Sequence, residues 1–475
     1  LGGADEDIRQ QPTVSSLPFS LSPPTVPPSV FNILERLREK GKYGWIVGGC
    51  VRDLLRGQVP KDWDIATNAR PEEVVRMFPR VIATGLKHGT VTVMDRGVGY
   101  EVTTLRGEGA YSDGRRPDSV SFVEDIREDL ARRDFTFNAI AIDGLGERLI
   151  DPFGGAKDLE AGLLRAVGDA RERFAEDGLR VLRAARFSAT LEVSIESATE
   201  AAMGDPTSLA TFRKVSAERV RDEWQKSMSA NKPSRAFDAM ARTGILEVIS
   251  PELCESRGCE QNRYHAYDVW GHAMACLDAA PKDPTLRVAA LLHDIGKPRS
   301  RAFSPKTNDY TFYNHEAIGA EIVDPLLQKL KFPNDVRQRI VSLVRHHLIC
   351  YTSDWSDTAV RRWLKRVGLE VAPQLYELGR ADARGKGRPA DDDLRHIDEL
   401  EARAQQLLSA GAALSTRDLT VSGHDLMKEL SLKPGPVIGR VLDALLELVL
   451  ESPELNNRES LLTEARRVAA SLASS

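Results

Sequence analysis

Residues 44–67 read GWIVGGCVRDLLRGQVPKDWDIAT, and this stretch decides the fold. GWIV is a short apolar run of the kind that forms a buried strand. It ends in Gly48-Gly49, where the missing Cβ lets the backbone turn sharply and present N–H groups to an anion. CVRDLLRG then reads as a helix carrying Arg52. KDWDIAT predicts a second strand. Because i and i+2 share a face of a strand, Asp62 and Asp64 converge on one side and Trp63 turns to the other. Two carboxylates on one face form a hard-oxygen ligand pair suited to Mg²⁺.

Working outward, FNILERLREK before this unit reads as an amphipathic helix. PEEVVRMF after it opens with Pro71 at a helix start. TVTVMD and GYEVTTLR alternate as strands. Glu101, on the second of these, offers a third carboxylate. Three carboxylates can hold two metal ions that activate an attacking hydroxyl and neutralise a triphosphate. A DxD pair alone is common on solvated strand ends. The order Gly48-Gly49, then Arg52, then DxD, carries the inference. A polar, Gly-rich loop follows at residues 106–120, and the α/β portion ends near Asp151. From there to about Ser250 the chain reads as helical, with an arginine-rich run at Arg165, Arg171, Arg173, Arg180, Arg183 and Arg186. Residues 265–385 form a second helical region holding six of the nine histidines. Residues 395–475 are helical again, broken at Pro434–Pro436.

The chain has 475 residues, 41% apolar and 28% charged, which is ordinary for a globular protein of several domains. No apolar run reaches the ~18 residues of a membrane span, and residues 1–28 carry no secretory apolar core. That segment is rich in Pro, Ser and Gln and is expected to be disordered. The five cysteines form no CxxC pair and are read as reduced thiols of a cytoplasmic protein. A net charge of −5 excludes bulk attraction to nucleic acid but leaves room for local basic surfaces.

VGGCVRDLLRG, PKDWDIAT, KHGTVTVM and YEVTTLR resemble the class II tRNA nucleotidyltransferases (CCA-adding enzymes) and the related bacterial poly(A) polymerases. The resemblance continues through RRDFTFNAIA (132–141), DPFGGAKDL (151–159), EDGLRVLRAARF (176–187) and SAERVRDE (216–223). It implies an α/β nucleotidyltransferase head, a small mixed sheet with helices, followed by all-α neck, HD and tail domains. The expected boundaries are a disordered 1–28, head 29–155, neck 156–260, HD domain 261–394 and tail 395–475. It also implies Asp62, Asp64 and Glu101 as catalytic residues with Mg²⁺ on Asp62 and Asp64. Nucleotide binding falls to Gly49, Arg52, Arg133, Asp134, Asp177, Arg180, Arg183 and Arg186, with Asp134 on ribose hydroxyls and Arg132 peripheral. Asp151 matches a hinge-like motif. Phe137 stands where the family more often has a smaller aliphatic, so local repacking is expected.

Asp177 and Arg180 are three apart on a predicted helix and so share a face. Cytosine and adenine each present an amino donor beside a ring-nitrogen acceptor, which an Asp acceptor and an Arg donor complement. Uracil and guanine present the reverse, and each unpaired buried polar group costs ~1–3 kcal/mol. By resemblance this pair is the template that admits CTP and ATP.

LLHDIGKP at 291–298, within the order His272, His293-Asp294, His315, His346-His347, Asp382, resembles the HD phosphohydrolase superfamily. Imidazole and carboxylate suit a divalent transition metal. His272, His293, Asp294 and Asp382 are the minimal ligand set, and His315 with His346 or His347 is available for a second ion. Metal-assisted phosphoester hydrolysis is implied, with 2′,3′-cyclic phosphates, 2′-nucleotides and small phosphate esters as substrates. The loop at Arg106–Asp118 resembles the flexible loop of full CCA-adding enzymes. SGHDLMKELSLKPGPVIG (422–439) resembles the tail segment that grips the tRNA body. The expected activity is addition and repair of the 3′-terminal CCA of tRNA from CTP and ATP by a monomer without membrane attachment. An A-adding enzyme or poly(A) polymerase, and a phosphohydrolase with an inactive polymerase domain, stay open beside it.

Overall fold

The computed structural model describes residues 14–16, 26–85, 89–107, 121–431 and 433–473. Most of the loop expected at Arg106–Asp118 therefore lies outside the described residues. The chain forms two compact units, residues 1–251 and 252–475.

The first unit is built on one eight-stranded sheet: β1 (Val14–Ser16), β2 (Gly44–Val47), β3 (Asp64–Thr67), β4 (Val81–Gly85), β5 (Thr90–Asp95), β6 (Val98–Thr104), β7 (Ala141–Asp143) and β8 (Arg148–Ile150). Their order is β1-β8-β7-β2-β3-β6-β5-β4. β3 and β6 run parallel and every other pair is antiparallel, a small mixed sheet as expected. Its central strands are packed on both faces. Ile46, Ile65 and Val102 join a core with Ile33, Leu37 and Val51. Val47 and Ala66 join a second core with Leu130, Ala139 and Ala141. Trp63 is buried in the first of these.

Two expectations need correction here. KDWDIAT is a strand only from Asp64 onward. Its antiparallel partner runs out at the pair Val47–Asp64, because Gly48 leaves the sheet at φ +81°. Residues 1–28 are not wholly disordered: Val14–Ser16 pairs with Arg148–Ile150, and Val26 is fully buried. An edge strand of three residues is held by backbone hydrogen bonds, which demand no apolar pattern.

Beyond Asp151 the first unit continues in short helices, among them Ala170–Glu176, Leu179–Thr190 and Ala217–Ser227, with one two-stranded parallel pair. The second unit is helical apart from an antiparallel hairpin, Ala302–Ser304 with Asp309–Thr311, so the all-α expectation for this region needs that exception. Its polar tip at residues 305–308 gives no helical period. Helices Val269–Ala279, Pro284–Leu292, His315–Lys329, Asn334–His346 and Ala372–Gly385 surround the histidine cluster.

Candidate functional site

In the first unit the sheet register assembles the acidic end of a cavity. Asp64 pairs with Val47 on one side and with Glu101 on the other. The Gly48-Gly49 turn, Asp64 and Glu101 thus meet at one end of the sheet. A Cβ on Gly48 would lie 3.1 Å from Asp64 Oδ2 and 3.4 Å from Arg133 Nη1, and the positive φ there also favours glycine. Burial, then the charge of Glu101, pushes the Asp64 carboxyl above the usual carboxylate range; Arg133 opposes this and Asp62 adds to it. Crowded carboxylates that repel one another form a donor set fitted to a divalent cation. Asp62 precedes the strand, is exposed, and stands outside the cavity wall.

The cavity is about 540 Å³. Seven arginines and four carboxylates line it, an excess of positive charge that suits a polyphosphate. Gly49, Arg52, Arg133, Asp134, Asp177, Arg180 and Arg183 all reach it. Arg132, expected to be peripheral, lines it too. Arg186 does not; its guanidinium pairs with buried Glu223 and lies 3.8 Å from the Phe187 ring centroid. The arginine-rich run is not one patch either. Arg165 pairs with Asp158 and Glu196, and Arg173 with Glu176.

One hydrogen-bonded chain orders the middle of the site. Arg52 Nη1 donates to Asn138 Oδ1 at 3.0 Å. Asn138 Nδ2 donates to Asp134 Oδ1 at 3.0 Å, and Arg183 Nε donates to Asp134 Oδ2 at 2.8 Å. Burial alone would raise the Asp134 pKa, but the Arg183 charge and the Asn138 bond outweigh it and lower it to about 2. Phe137 packs at 5.8 Å from Phe135 and 5.5 Å from Phe187. The ring of Phe187 in turn carries Arg52, Arg183 and Arg186. The larger residue at 137 is thus absorbed into an aromatic cluster that backs the arginines.

Asp177 and Arg180 do not share a helical face. Asp177 is an extended residue between two helices, with φ −137° and ψ 107°. Gly178 begins the next helix, and Arg180 lies in its first turn. They do not pair with each other. Arg219 Nη2 donates to Asp177 Oδ2 at 2.8 Å. Arg180 bonds Glu176 at 2.6 Å and the backbone oxygens of Arg173 and Arg132 at 3.0 and 2.9 Å. Arg219 was legible only as part of the motif SAERVRDE.

In the second unit His272, His293, Asp294, His315, His347 and Asp382 converge. His346 does not; it ends its helix, and His347, the next residue, turns inward and is buried. Nδ1 of His293, His315 and His347 lies 2.8, 2.7 and 2.7 Å from the carbonyl oxygens of Ala290, Phe312 and Val344. Each such bond places the proton on Nδ1 and leaves Nε2 as a lone pair aimed inward. His315 Nε2 and His347 Nε2 are 3.2 Å apart, as are His272 Nε2 and His293 Nε2. The facing lone pairs of His315 and His347 repel unless a cation lies between them, so the donor set fits transition-metal binding. Asp294 Oδ2 faces His272 and His293 at 3.3 and 3.1 Å. Its Oδ1 faces His315 and His347 at 3.3 and 3.6 Å. One carboxylate thus serves two ligand sets. His272 Nε2 lies 3.0 Å from Asp382 Oδ1. Burial would raise the Asp294 carboxyl, but its contacts with His293, Lys297 and His272 outweigh that and hold it well below the usual carboxylate range. Cys276, absent from the expected ligand set, lies with His272, His293 and Asp382 in a group that could hold a metal ion. Its position one helical turn after His272 was the available signal.

A strand-borne acid pair, a glycine turn and an arginine-walled cavity define a nucleotidyltransferase. Residues 44–165 match the family model of the poly(A) polymerase head domain. Residues 192–256 match a model described as an RNA- and SrmB-binding site of polymerase A, and residues 314–465 match a second-domain model of tRNA nucleotidyltransferases. The CCA-adding enzyme of Lactiplantibacillus plantarum is 34% identical over 92% of this chain and 95% of its own length. That of Lactobacillus johnsonii is 35% identical over 92% and 97%. The crystal structure of the Bacillus stearothermophilus CCA-adding enzyme in complex with CTP superposes with a TM-score of 0.72 at 28% identity, covering 96% of this chain and all of that one. The chain belongs to the class II CCA-adding enzyme and poly(A) polymerase family. No helix among the described residues is long and apolar enough to cross a membrane.

Proposed function

We propose that the protein completes and repairs the 3′-terminal CCA of tRNA from CTP and ATP. The observation that carries this reading is the pairing of Asp64 with Glu101 at the mouth of an arginine-lined cavity that also holds Asp177 and Arg180. Mg²⁺ held by Asp64 and Glu101, with Asp62 beside them, would acidify the tRNA 3′-hydroxyl and stabilise the charge on the triphosphate. Arg52, Arg133 and Arg183 face the phosphates. Asp134, ordered by Asn138 and Arg183, stands where a ribose hydroxyl is bound. Asp177 accepts from the amino group of cytosine or adenine and Arg180 donates to the neighbouring ring nitrogen. Arg186 acts through Phe187 and Glu223 rather than by touching nucleotide. The tail segment 422–439 grips the tRNA body. Incubating the protein with tRNA lacking CCA, Mg²⁺, and CTP and ATP singly and together, then sequencing the ends, tests this. CCA and nothing longer is expected. Long A tails would convert the reading to a poly(A) polymerase, and a single A on tRNA ending in CC to an A-adding enzyme.

A second activity is favoured by the inward-facing Nε2 atoms of the histidine cluster. We read residues 261–394 as a metal-dependent phosphohydrolase acting on 2′,3′-cyclic phosphates, 2′-nucleotides and small phosphate esters. A divalent transition metal there would acidify a water for attack on phosphorus. The attack forms one P–O bond and breaks another, and the departing sugar oxygen takes a proton. Lys297, 2.7 Å from Asp294 Oδ2, supplies positive charge beside the reacting phosphate. His293→Ala with Asp294→Ala is expected to abolish hydrolysis of a 2′,3′-cyclic nucleotide, and unchanged hydrolysis would overturn the assignment.

A further inference from the structure

Asp294, His315, His347 and Asp382 of the cluster line a cavity of about 620 Å³. That is far more room than a bare phosphate occupies and lies in the range that takes a nucleotide-sized ligand. Two tyrosines on its wall stand unusually far into solvent, Tyr264 at 67% and Tyr313 at 78% exposure. Neither ring packs on another aromatic ring among the described residues. Single exposed aromatics are ordinary, but two on one cavity beside a metal-binding cluster form a pattern.

Both tyrosines are tied to the cluster through their own backbone. Tyr313 precedes His315 by two residues, at the start of the helix that carries it. Tyr264 adjoins His265, whose ring meets the His272 ring edge-on at 4.8 Å. The two segments are also clipped to each other. Arg263 donates from Nε to Asp309 Oδ2 at 2.8 Å and from Nη2 to Thr307 O at 2.6 Å, binding the 262–266 loop to the hairpin that leads to Tyr313. The two segments that bear the tyrosines are therefore tied to each other beside the cluster. Lys297 and Lys386 supply positive charge lower in the same cavity.

We infer that Tyr264 and Tyr313 form a stacking platform for one nucleobase, so that this site takes a base-bearing phosphoester, the terminal nucleotide of an RNA strand. This deepens the phosphohydrolase reading and rests on it for the fate of the phosphate. No hydrogen-bonding edge reader is required, and stacking accepts any base because every base has a π face. The second unit is thus expected to be indifferent to base identity, in contrast to the selective cavity of the first.

Equilibrium dialysis of the full chain with radiolabelled adenosine 2′-monophosphate tests the platform. EDTA stops turnover, and every variant is measured in an Asp177→Ala, Arg180→Ala background so that base recognition in the other cavity is removed without adding a second nucleotide. Tyr264→Ala with Tyr313→Ala is expected to weaken binding at least tenfold, while Tyr264→Phe with Tyr313→Phe leaves it within about twofold. The four nucleoside 2′-monophosphates should bind within about threefold of one another. Glycerol 2-phosphate, which lacks a base, should bind the wild type and the double alanine variant equally. Unchanged nucleotide binding in the double alanine variant, or equal weakening of glycerol 2-phosphate, would overturn the inference. Loss of hydrolysis in His293→Ala is a separate measurement: its absence would sink the phosphohydrolase reading while leaving the platform judged by dialysis alone.

Discussion

At the residue scale the first unit carries a half-buried ion pair. Asp134 and Arg183 meet at 2.6 Å, with Asn138 completing the carboxylate's bonds. The ordinary Asp value of 3.8 falls to about 2 in the folded chain. A depressed carboxylate contributes stability above its unfolded value and loses it as pH falls through the folded one. That contribution, on the order of 2 kcal/mol, should be complete above about pH 4 and gone below about pH 2. Urea denaturation of wild type and Asp134→Asn across that window checks it; the variant should show a shallower acid dependence. Arg219 is a positioning residue for Asp177. Arg219→Ala should reduce discrimination of CTP against UTP by about tenfold, the scale of one lost charge-assisted hydrogen bond, with turnover of CTP at saturation little changed. Competition assays read that ratio directly. Much of this site was legible in sequence because strand and turn chemistry is local: Gly48, Asp64 and Glu101 are each placed by their own neighbours. The pairing of Asp177 was not, because its partner lies on another helix and only tertiary packing brings Arg219 to it.

At the level of elements, the junction between helices Ala170–Glu176 and Leu179–Thr190 shows where a periodic reading fails. An (i, i+3) relation assumes unbroken helix, but Asp177 adopts extended angles. Gly178 is pressed against the helix Pro206–Phe212, where a Cβ would fall 2.6 Å from Phe212 Cα. The Asp at 177 and Arg at 180 therefore reach one cavity from the junction and from the helix after it. Gly178→Ala should destabilise the first unit by roughly 2–3 kcal/mol through overpacking and weaken CTP binding, read by urea denaturation and by isothermal titration. The same boundary effect separates His346 from His347. Periodicity places both on one helix, whereas the helix ends at His346 and the turn past it decides which ring enters the cluster. Short edge strands are the other blind spot. β1 has no apolar pattern of its own and exists only because β8 offers it backbone partners.

For the molecule as a whole, the second unit gathers its candidate ligands from five separate helices and their ends, His272 to Asp382. Binding a cation there should stabilise that unit by mass action. At one hundred times the dissociation constant the gain is about 2.7 kcal/mol, which should raise the melting temperature by roughly 5–10 °C. Differential scanning fluorimetry with Mn²⁺ or Zn²⁺ against EDTA checks this, and His293→Ala should remove the rise. The first unit draws its sheet together over similarly long distances, and β1 is the extreme case. Ser16 pairs with Arg148, so this strand is translated well before the partner that gives it a place. At ~5–20 residues per second, some 7–26 seconds of elongation separate the two partners. During that time the backbone N–H and C=O groups of residues 14–16 have no ladder partner. The prolines on either side, which cannot donate to a ladder, keep a segment that must wait from pairing with a stranger while it does.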